Sequence, residues 1–356
     1  MRHSNIPAVL LAEKLAQLTP GNLKKVIYTT GGGESTEMAL KVARAYTRKP
    51  EIIALRNAFH GLGFGSVAMT SGAKYKKAFA PVMPGVVRAP HAYCYRCPFK
   101  YPECDLWCAE EIGRIYEDVS LSAGHNGQIG SVIVEPIQGS GGIVPPKGWL
   151  TRVREICNKY GLLLIVDEIQ TGFGRTGKMY ACEHENVVPD ILVTSKNLGG
   201  GFPAGAIVTT EEIVEGFNPG TTPTLAGNAV ACAAGLALIE VLHEEKLMEN
   251  AAAMGKRLVE GISSMSMSKY VGEVRYKGLM GSIELVLDQK TKEPMSKEDV
   301  NWMLGRLAEE GILTSASGPC GNSFRVQPTL NINKDQIDQI VNTFDKILCE
   351  YDKKRR

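Results

Sequence analysis

The chain has 356 residues, too many for one small core, and this length predicts two domains, one of them large. Forty basic residues against thirty-eight acidic ones leave a formal net charge of +2, which excludes a strong attraction to nucleic acid or to an anionic membrane. No apolar run is long enough to cross a bilayer, the N-terminal residues lack the pattern of a signal peptide, and nine cysteines fit reduced thiols. We therefore expect a cytoplasmic protein.

Short apolar runs rich in β-branched residues alternate with helical patterns between about residues 24 and 245. Because these runs are continuously apolar, we expect strands buried on both faces of a mostly parallel sheet that is flanked by helices, an α/β fold. The runs are KKVIYTT, EIIALRN, GSVIVEP, LLLIVDE, DILVTSK and GAIVTT, and the helical patterns include ESTEMALKVARAYTR, GWLTRVREICNKYG and NAVACAAGLALIEVLHEE.

The pattern changes near residue 250, where a helical segment leads into shorter strands and helices such as VRYKGLMGSIELVL and DQIDQIVNTFDKIL. This mixture predicts a second, smaller α+β domain. We place the large domain at residues 1–250 and the small C-terminal domain at residues 251–356.

Polar residues follow several of the predicted strands directly. Because open parallel sheets bind ligands beyond the carboxyl ends of their strands, we expect these residues to converge at one edge of the sheet. They are the glycine run at residues 31–33, Phe59 with His60, Glu135, Asp167 and Lys196.

Taken one at a time, these residues have ordinary structural explanations. A glycine run before a helix could be a plain turn, a lone lysine is most often a solvated charge, and Phe59 could belong to the core. Asp167 and Glu168 could face solvent, although a carboxylate that closes five apolar residues requires a cationic partner when it is buried. Arg325, within SFRVQPTL, could be a strand arginine paired to a neighbour.

Taken together, the residues match the needs of pyridoxal 5′-phosphate. This cofactor requires a lysine for its Schiff base, an anion cradle for its phosphate, a carboxylate beside its pyridine nitrogen and a flat apolar group against its ring. The glycines before a helix supply backbone N–H groups for the phosphate, and an arginine adds bidentate recognition of a substrate carboxylate.

The sequence resembles the class III pyridoxal-phosphate aminotransferases of fold type I, a family whose motifs it carries in order over nearly the whole chain. The resemblance implies a large domain with a mostly parallel sheet and a smaller C-terminal α+β domain. The motifs are TTGGGESTEMALKVAR, RNAFHG, VEPIQGSGGIVPP, VDEIQTGFGRTG, PDILVTSKNLGGGFPAGAI, TPTLAGNAVACAA and GNSFRVQPTL.

The resemblance implies roles for the residues that contact the cofactor ring. Lys196 is implied as the Schiff-base lysine, and Asp167 as the partner of the pyridinium nitrogen. Gln170 is implied near the phenolic oxygen, and Phe59 is implied to stack on the ring with His60 close by.

The resemblance also assigns the cofactor phosphate. Gly32 and Gly33 are implied to hold it, and Thr224 is implied to reach the phosphate of the neighbouring subunit, which predicts a homodimer with shared sites. This segment carries Leu225, Ala226 and Ala229 where the family usually shows an aromatic residue, a glycine and a proline.

Glu135 and Arg325 resemble a pair that lets one pocket take two substrates. In this interpretation Arg325 binds an α-carboxylate, and Glu135 neutralises the arginine when the donor is an ω-amine. The implied reaction is ping-pong amino transfer from an ω-amino or α-amino acid of the 4-aminobutyrate, acetylornithine, β-alanine or alanine type to a 2-oxo acid. Lys196, once released, is implied to move the proton.

Two segments depart from the family pattern. The chain begins almost at PAVLLAEKLAQLTPGNLKKV, whereas members usually carry a substantial stretch before it, so we expect a truncated start. An insert, CYRCPFKYPECDLWC, holds four cysteines that could enclose zinc. Because their spacing is not that of two CxxC knuckles, we expect a reduced, packed loop and no metal. The cysteines are Cys94, Cys97, Cys104 and Cys108.

Other functions remain open at this point. A lyase similar to dialkylglycine decarboxylase would use the same cofactor and closely related motifs. A truncated chain could also retain the cofactor without catalysing a reaction. A dehydrogenase is disfavoured, because no strand is followed by the dinucleotide fingerprint and its ribose-binding acid.

Overall fold

A computed structural model describes residues 4–118, 120, 128–215, 217, 221 and 223–355. The chain forms two compact units. The large unit comprises Met1–Pro136, Pro145–Phe173 and Lys178–Glu244, and the small unit comprises Ile137–Val144, Gly174–Gly177 and Glu245–Arg356. The division into domains at residues 1–250 and 251–356 stays a prediction.

The large unit is built around a seven-stranded sheet. Its strands are Lys25–Thr29 (β1), Glu51–Leu55 (β2), Val86–Ala89 (β3), Ile129–Val134 (β4), Leu163–Asp167 (β5), Ile191–Thr194 (β6) and Gly205–Thr209 (β7). Its helices are Ile6–Leu18 (α1), Gly32–Thr47 (α2), Phe64–Met69 (α3), Trp107–Glu117 (α4), Trp149–Tyr160 (α5), Glu211–Val214 (α6) and Ala229–Glu244 (α7).

The strand order is β1-β7-β6-β5-β4-β2-β3, and β7 is antiparallel to both of its neighbours while the other pairs are parallel. The predicted α/β fold with a mostly parallel sheet is therefore confirmed. Strand β3 was not among the predicted strands. It is a four-residue edge strand, largely half-buried, so its sequence lacks the long apolar run of a central strand.

The centre of the sheet is apolar because its strands are covered on both faces. All five residues of β5 are buried, as are all four of β6. Helix α2 contributes Met38 and Val42 to a core cluster with Ile165 of β5 and Val193 of β6. Burial at this level fixes the strand register, and the register in turn fixes which residues emerge at the carboxyl edge.

The small unit contains a second, five-stranded sheet in which the pairs are antiparallel. Two helices, Leu247–Ser263 (α8) and Lys334–Arg355 (α10), contribute Leu258, Phe344 and Ile347 to its apolar core, together with Ile283 and Phe324 from the sheet. Its strands are Val271–Lys277 (β8), Met280–Asp288 (β9), Glu293–Pro294 (β10), Ala316–Ser317 (β11) and Ser323–Phe324 (β12), and its helices are Leu247–Ser263 (α8), Lys297–Glu309 (α9) and Lys334–Arg355 (α10).

Over the described part of the chain, no helix combines the length and the apolar character that crossing a membrane requires.

Candidate active site

Asp167 and Lys196 lie at the carboxyl ends of two neighbouring parallel strands, β5 and β6, of the large unit. Asp167 is the last residue of β5 and pairs with Val193 of β6, so Lys196 lies only three positions beyond the same level of the sheet. Parallel strands end at a common edge, and the register therefore brings both residues to that edge.

Lys196 has an unusual backbone for a residue with a side chain. Its φ is +41°, in the left-handed region, and it begins a short 3₁₀ helix, Lys196–Gly199. Left-handed non-glycine residues cost free energy and concentrate at functional sites. Lys196 is an exposed residue in the single chain.

Asp167 forms a buried pair with His60. The distance from Asp167 Oδ2 to His60 Nδ1 is 2.7 Å, and the two side chains are 3% and 0% exposed. The other carboxylate oxygen of Asp167 accepts the Ile169 N–H at 3.0 Å. A buried carboxylate needs such partners, and the pair holds the Asp167 carboxylate in one orientation.

The backbone that carries the His60 imidazole is fixed by two hydrogen bonds with the Thr70 hydroxyl. The His60 backbone N–H donates to Thr70 Oγ1 at 2.9 Å, and that hydroxyl donates in turn to the Gly61 carbonyl at 2.9 Å. Within the described residues, His60 Nε2 is buried and has no hydrogen-bond partner. From the sequence, His60 was predicted to lie close to the cofactor ring. Its hydrogen bond to Asp167 was not predicted.

Glu168, next to Asp167, has a different environment. Its carboxylate is fully buried and accepts the Cys182 N–H at 2.8 Å and the Thr171 hydroxyl. Burial raises the pKa of the Glu168 carboxyl, and these hydrogen bonds oppose that change. Glu168 thus ties the segment after β5 to the Cys182 backbone, whereas Asp167 faces a histidine.

Phe59 and Glu135 follow β2 and β4, respectively. In the strand order, both strands lie on the side of β5 that is opposite to β6. The Phe59 N–H donates to Glu135 Oε1 at 2.8 Å, and the Glu135 side chain is 5% exposed. The half-buried Phe59 ring packs edge-on against Tyr75 with ring centroids 5.3 Å apart. Glu135 therefore fixes the backbone that carries Phe59 and His60.

The glycine run forms the start of α2. Gly31 is the N-cap and Gly32 is the first helical residue, so Gly32 and Gly33 carry N–H groups at the positive end of a 16-residue helix. A Cβ added to Gly61 would lie 2.6 Å from Gly33 Cα, so these two backbones approach too closely for a side chain. Backbone this close, at a helix start without a side-chain cap among the described residues, is suited to a phosphate.

Gln170 and Thr224 lie on separate segments of the large unit. Gln170 is half-buried in the turn that follows Asp167, and Thr224 is exposed in the segment before α7. Residues 225, 226 and 229, where the family pattern differs, follow Thr224 in sequence. The structure describes one chain, so the contact predicted for Thr224 with a neighbouring subunit stays a prediction.

Arg325 lies in the small unit, directly after β12. Its guanidinium donates to the Gly139 carbonyl at 3.4 Å and to Ser315 Oγ at 2.8 Å. Across the described ranges, no carboxylate pairs with Arg325, and its Nε is buried without a hydrogen-bond partner. A partly buried guanidinium of this kind is suited to a bound carboxylate.

The cysteine insert contains thiols that are close to one another. Burial, followed by the nearby Cys104 and Cys97, raises the pKa of the Cys108 thiol to about 11. No disulfide joins the nine cysteines, all of which are among the described residues. In the part of the chain that the structure describes, no group of three or more His, Cys, Asp or Glu side chains has the geometry to hold a metal ion.

Comparison with protein families identifies the chain. The aminotransferase class III model matches residues 2–348. The chain belongs to the class III aminotransferase family. It is therefore a pyridoxal-phosphate-dependent aminotransferase by family, as the motifs predicted.

Two curated relatives share about a third of their residues with this aminotransferase. The leucine/methionine racemase of Thermococcus litoralis is 34% identical over 352 residues, covering 98% of this chain and 78% of the racemase. The adenosylmethionine-8-amino-7-oxononanoate aminotransferase of Nitratidesulfovibrio vulgaris is 34% identical over 360 residues, covering 95% of this chain and 65% of the relative. The chain thus spans less than two thirds of the second relative.

Solved transaminase structures share the fold. A transaminase from the marine bacterium Virgibacillus superposes with a TM-score of 0.90 at 30% identity, covering 99% of this chain and 81% of that chain. The omega transaminase of Pseudomonas jessenii in complex with PMP gives a TM-score of 0.90 at 29% identity, covering 98% and 80%. The fold type I assignment and the pyridoxal phosphate cofactor are confirmed by this agreement.

The residues present fit the cofactor. The Gly33–Gly61 approach leaves backbone N–H groups at a helix start for a phosphate, and the His60–Asp167 pair supplies a buried carboxylate for a pyridinium nitrogen. Lys196 supplies an amine at the same edge of the sheet. Each of these features belongs to the large unit.

Proposed function

We propose that the enzyme transfers an amino group from an ω-amino or α-amino acid of the 4-aminobutyrate, acetylornithine, β-alanine or alanine type to a 2-oxo acid, in a ping-pong cycle. The observation that carries the proposal is the buried His60–Asp167 pair at the strand edge that also carries Lys196. When bound, pyridoxal phosphate supplies the aldehyde that takes up an amino group and the ring that stabilises negative charge at the substrate Cα.

Lys196 forms the covalent bond to the cofactor and, once released, transfers the proton of the substrate Cα. The amine of this exposed residue can condense with an aldehyde, and once free it takes the proton from the substrate Cα. The left-handed backbone of Lys196 at the carboxyl edge of the sheet supports this role, because strained residues cluster at active sites as well as at turns.

Asp167 keeps the cofactor's pyridine nitrogen protonated. A carboxylate fixed by His60 and by the Ile169 N–H cannot rotate away from its partner, so its charge is directed at one place. Phe59 stacks on the cofactor ring, and Gln170 hydrogen-bonds its phenolic oxygen.

Gly32 and Gly33 hold the phosphate, and Thr224 reaches the phosphate in the neighbouring subunit of a homodimer. The exposure of Thr224 in the single chain supports a contact with a second copy. A cytoplasmic location belongs to the same proposal, and the absence of a disulfide among the described cysteines supports it.

Arg325 recognises the α-carboxylate of substrates, and Glu135 neutralises the arginine when the donor carries its amine at the ω-position. The lack of a carboxylate partner for Arg325 within the described residues supports the first role.

Amino transfer is tested by incubating the holoenzyme with each donor and with pyruvate, glyoxylate or 2-oxoglutarate, and measuring the new amino acid formed. We expect product only when donor and acceptor are both present, and parallel double-reciprocal plots. Stoichiometric release of carbon dioxide from a dialkyl amino acid would instead favour a decarboxylase.

Racemisation is a second candidate, favoured by the 34% identity to the leucine/methionine racemase. The discriminating experiment uses one enantiomer of leucine or methionine without any 2-oxo acid. A racemase produces the other enantiomer under these conditions, whereas an aminotransferase stops after one equivalent per site. We expect the second result.

A further inference from the structure

We propose that Arg275 and Glu284 are a positioning pair that sets the place of Arg325 and thereby the affinity for the substrate carboxylate. This inference rests on the proposed role of Arg325. The pair lies in the small unit, and it acts through residues 139–142, here called the glycine loop. Arg275, Glu284, the glycine loop and Arg325 are all described residues of that unit.

Arg275 and Glu284 form a buried ion pair between adjacent strands. Arg275 on β8 is 7% exposed, Glu284 on β9 is fully buried, and the distance from Nη1 to Oε2 is 2.8 Å. Glu273, which is partly exposed, contacts the same Nη1 atom. Burying charges is costly, and the guanidinium and carboxylate offset that cost through the hydrogen bonds they make, which hold their partners in one geometry.

The rest of the Arg275 guanidinium binds the glycine loop. Nη2 donates to the Gly141 carbonyl at 2.8 Å, and Nε donates to the Gly142 carbonyl at 3.2 Å. The Ser282 hydroxyl donates to the same Gly141 carbonyl at 2.6 Å. Three donors from two strands thus fix two successive peptide groups of the loop.

The loop itself is shaped to be held this closely. Gly141 and Gly142 have φ values of +87° and +53°, and a Cβ on Gly142 would lie 2.4 Å from the carbonyl carbon of Gly281. The Gly141 N–H donates to Ser317 Oγ at 2.9 Å. The glycine loop therefore packs directly against the backbone of β9, where small displacements are not tolerated.

Two routes lead from the pair to Arg325. The first is the loop, because Gly139 accepts from Arg325 Nη1 at 3.4 Å. The second is the strand, because Arg275 Nη2 also donates to Ser323 Oγ at 3.0 Å, and Ser323 lies two residues before Arg325. Ser323 also pairs in register with Glu284, so both members of the ion pair contact or neighbour the strand that carries Arg325.

The pairing has a testable consequence for substrate affinity. When the guanidinium of Arg325 is displaced, the substrate carboxylate binds less well, while the residues proposed to act on the amine are left unchanged. Misplacement by about 1 Å can cost up to about 100-fold in catalytic efficiency. We therefore expect Arg275→Lys, which keeps the charge but loses the planar fork, to raise KM for the 2-oxo acid by about tenfold, with kcat within about threefold.

The experiment measures KM and kcat of the holoenzyme for the best of pyruvate, glyoxylate and 2-oxoglutarate in four variants. These are Arg275→Lys, Ser323→Ala, Arg325→Gln and the control Arg257→Lys. Arg257 belongs to the same unit and pairs bidentately with Asp338, but both side chains are more than 40% exposed and lie on α8 and α10. Ser323→Ala removes one hydrogen bond without leaving a charge unpaired, so it remains informative if Arg275→Lys fails to fold.

The expected pattern is a raised KM in Arg325→Gln, a smaller rise in Arg275→Lys and Ser323→Ala, and no change in Arg257→Lys. A raised KM in Arg325→Gln with wild-type KM in both Arg275→Lys and Ser323→Ala would overturn the positioning role alone. A fall of kcat with unchanged KM in Arg275→Lys and Ser323→Ala would also overturn the positioning role. An unchanged KM in Arg325→Gln would reject the proposed role of Arg325, and the positioning role with it.

Discussion

Two buried charged pairs illustrate different uses of the same kind of interaction. In the large unit, His60 and Asp167 meet at 2.7 Å, and His60 Nε2 has no hydrogen-bond partner within the described residues. In the small unit, Arg275 contacts Glu284, Glu273, two carbonyls of the glycine loop and Ser323. Both pairs are almost completely buried.

The difference between these pairs lies in their surroundings. The large-unit pair sits at the carboxyl edge of a parallel sheet, where ligands bind, and it retains hydrogen-bonding capacity. In the small-unit pair, the Arg275 guanidinium donates hydrogen bonds to two backbone carbonyls and to a serine hydroxyl, so the pair specifies a backbone arrangement. Burial alone therefore does not distinguish a catalytic carboxylate from a structural one.

The largest effect expected from this comparison is at Asp167. We expect Asp167→Asn to lower kcat by about 10³-fold, because the variant loses the charge that stabilises a protonated ring nitrogen. The matched control is Glu168→Gln, which changes the neighbouring buried carboxylate. Its kcat should stay within about tenfold of wild type, while its melting temperature falls because a buried hydrogen-bond network is altered. Equal losses of kcat in both variants would contradict the assignment of Asp167.

The next largest effect is expected at Arg325, which extends the comparison to substrate binding. Arg325→Gln should raise KM for a 2-oxo acid by about 100-fold, since a bidentate charge-assisted contact is lost. Steady-state kinetics with varied acceptor measures this change. Its effect on KM for an ω-amine donor should be much smaller, and an equal effect on both substrates would indicate that Arg325 is structural.

The glycine loop allows a stability test of the small-unit pair. Gly142→Ala places a methyl group 2.4 Å from the Gly281 carbonyl carbon at a φ of +53°, and we expect a loss of about 3 kcal/mol in the free energy of unfolding. Gly321→Ala is the control, because Gly321 has a φ of +74° and open space around it. It should cost about 1 kcal/mol. Similar unfolding midpoints for the two variants would show that the loop is not tightly packed.

The smallest effect is expected at His91, a half-buried imidazole close to a positive charge. Burial, followed by the positive charge of Arg56, lowers the pKa of His91 to about 4. Below about pH 6.5 the His91 imidazole is protonated in the unfolded chain, whereas in the folded chain it stays neutral until about pH 4. The free energy of unfolding therefore falls as the pH is lowered through this window. For a half-buried side chain we expect a loss of about 1 kcal/mol between pH 7 and pH 5.

His91→Gln should remove this acid sensitivity, whereas His243→Gln, at an exposed helix position, should not. Urea unfolding at pH 7 and pH 5 measures the difference. An unaltered pH dependence in His91→Gln would contradict the effect of burial on this imidazole.

The sequence predicted much of the large unit, for a physical reason. Central strands are buried on both faces, so they appear as continuous apolar runs, and the residue that follows each run is identified with it. Asp167, Lys196 and Glu135 were singled out in this way as residues at strand ends. Strand β3 was missed because a short, half-buried edge strand has no such run.

The contacts between segments were beyond the reach of the sequence. His60 follows β2 and Asp167 ends β5, two strands that are separated by β4, and only the strand order brings their side chains together. The Arg275–Glu284 pair depends on the register between β8 and β9 and on a glycine loop more than a hundred residues earlier in the chain. No local pattern carries this information.

The most direct test of the account is covalent capture of the cofactor on Lys196. The purified chain is incubated with pyridoxal phosphate, reduced with borohydride, digested and analysed by mass spectrometry. We predict one stable adduct per chain on the peptide that contains Lys196, and loss of that adduct in Lys196→Ala but not in Lys14→Ala, a lysine on α1. An adduct distributed over several lysines, or one that persists in Lys196→Ala, would contradict the assignment of this edge of the sheet as the active site.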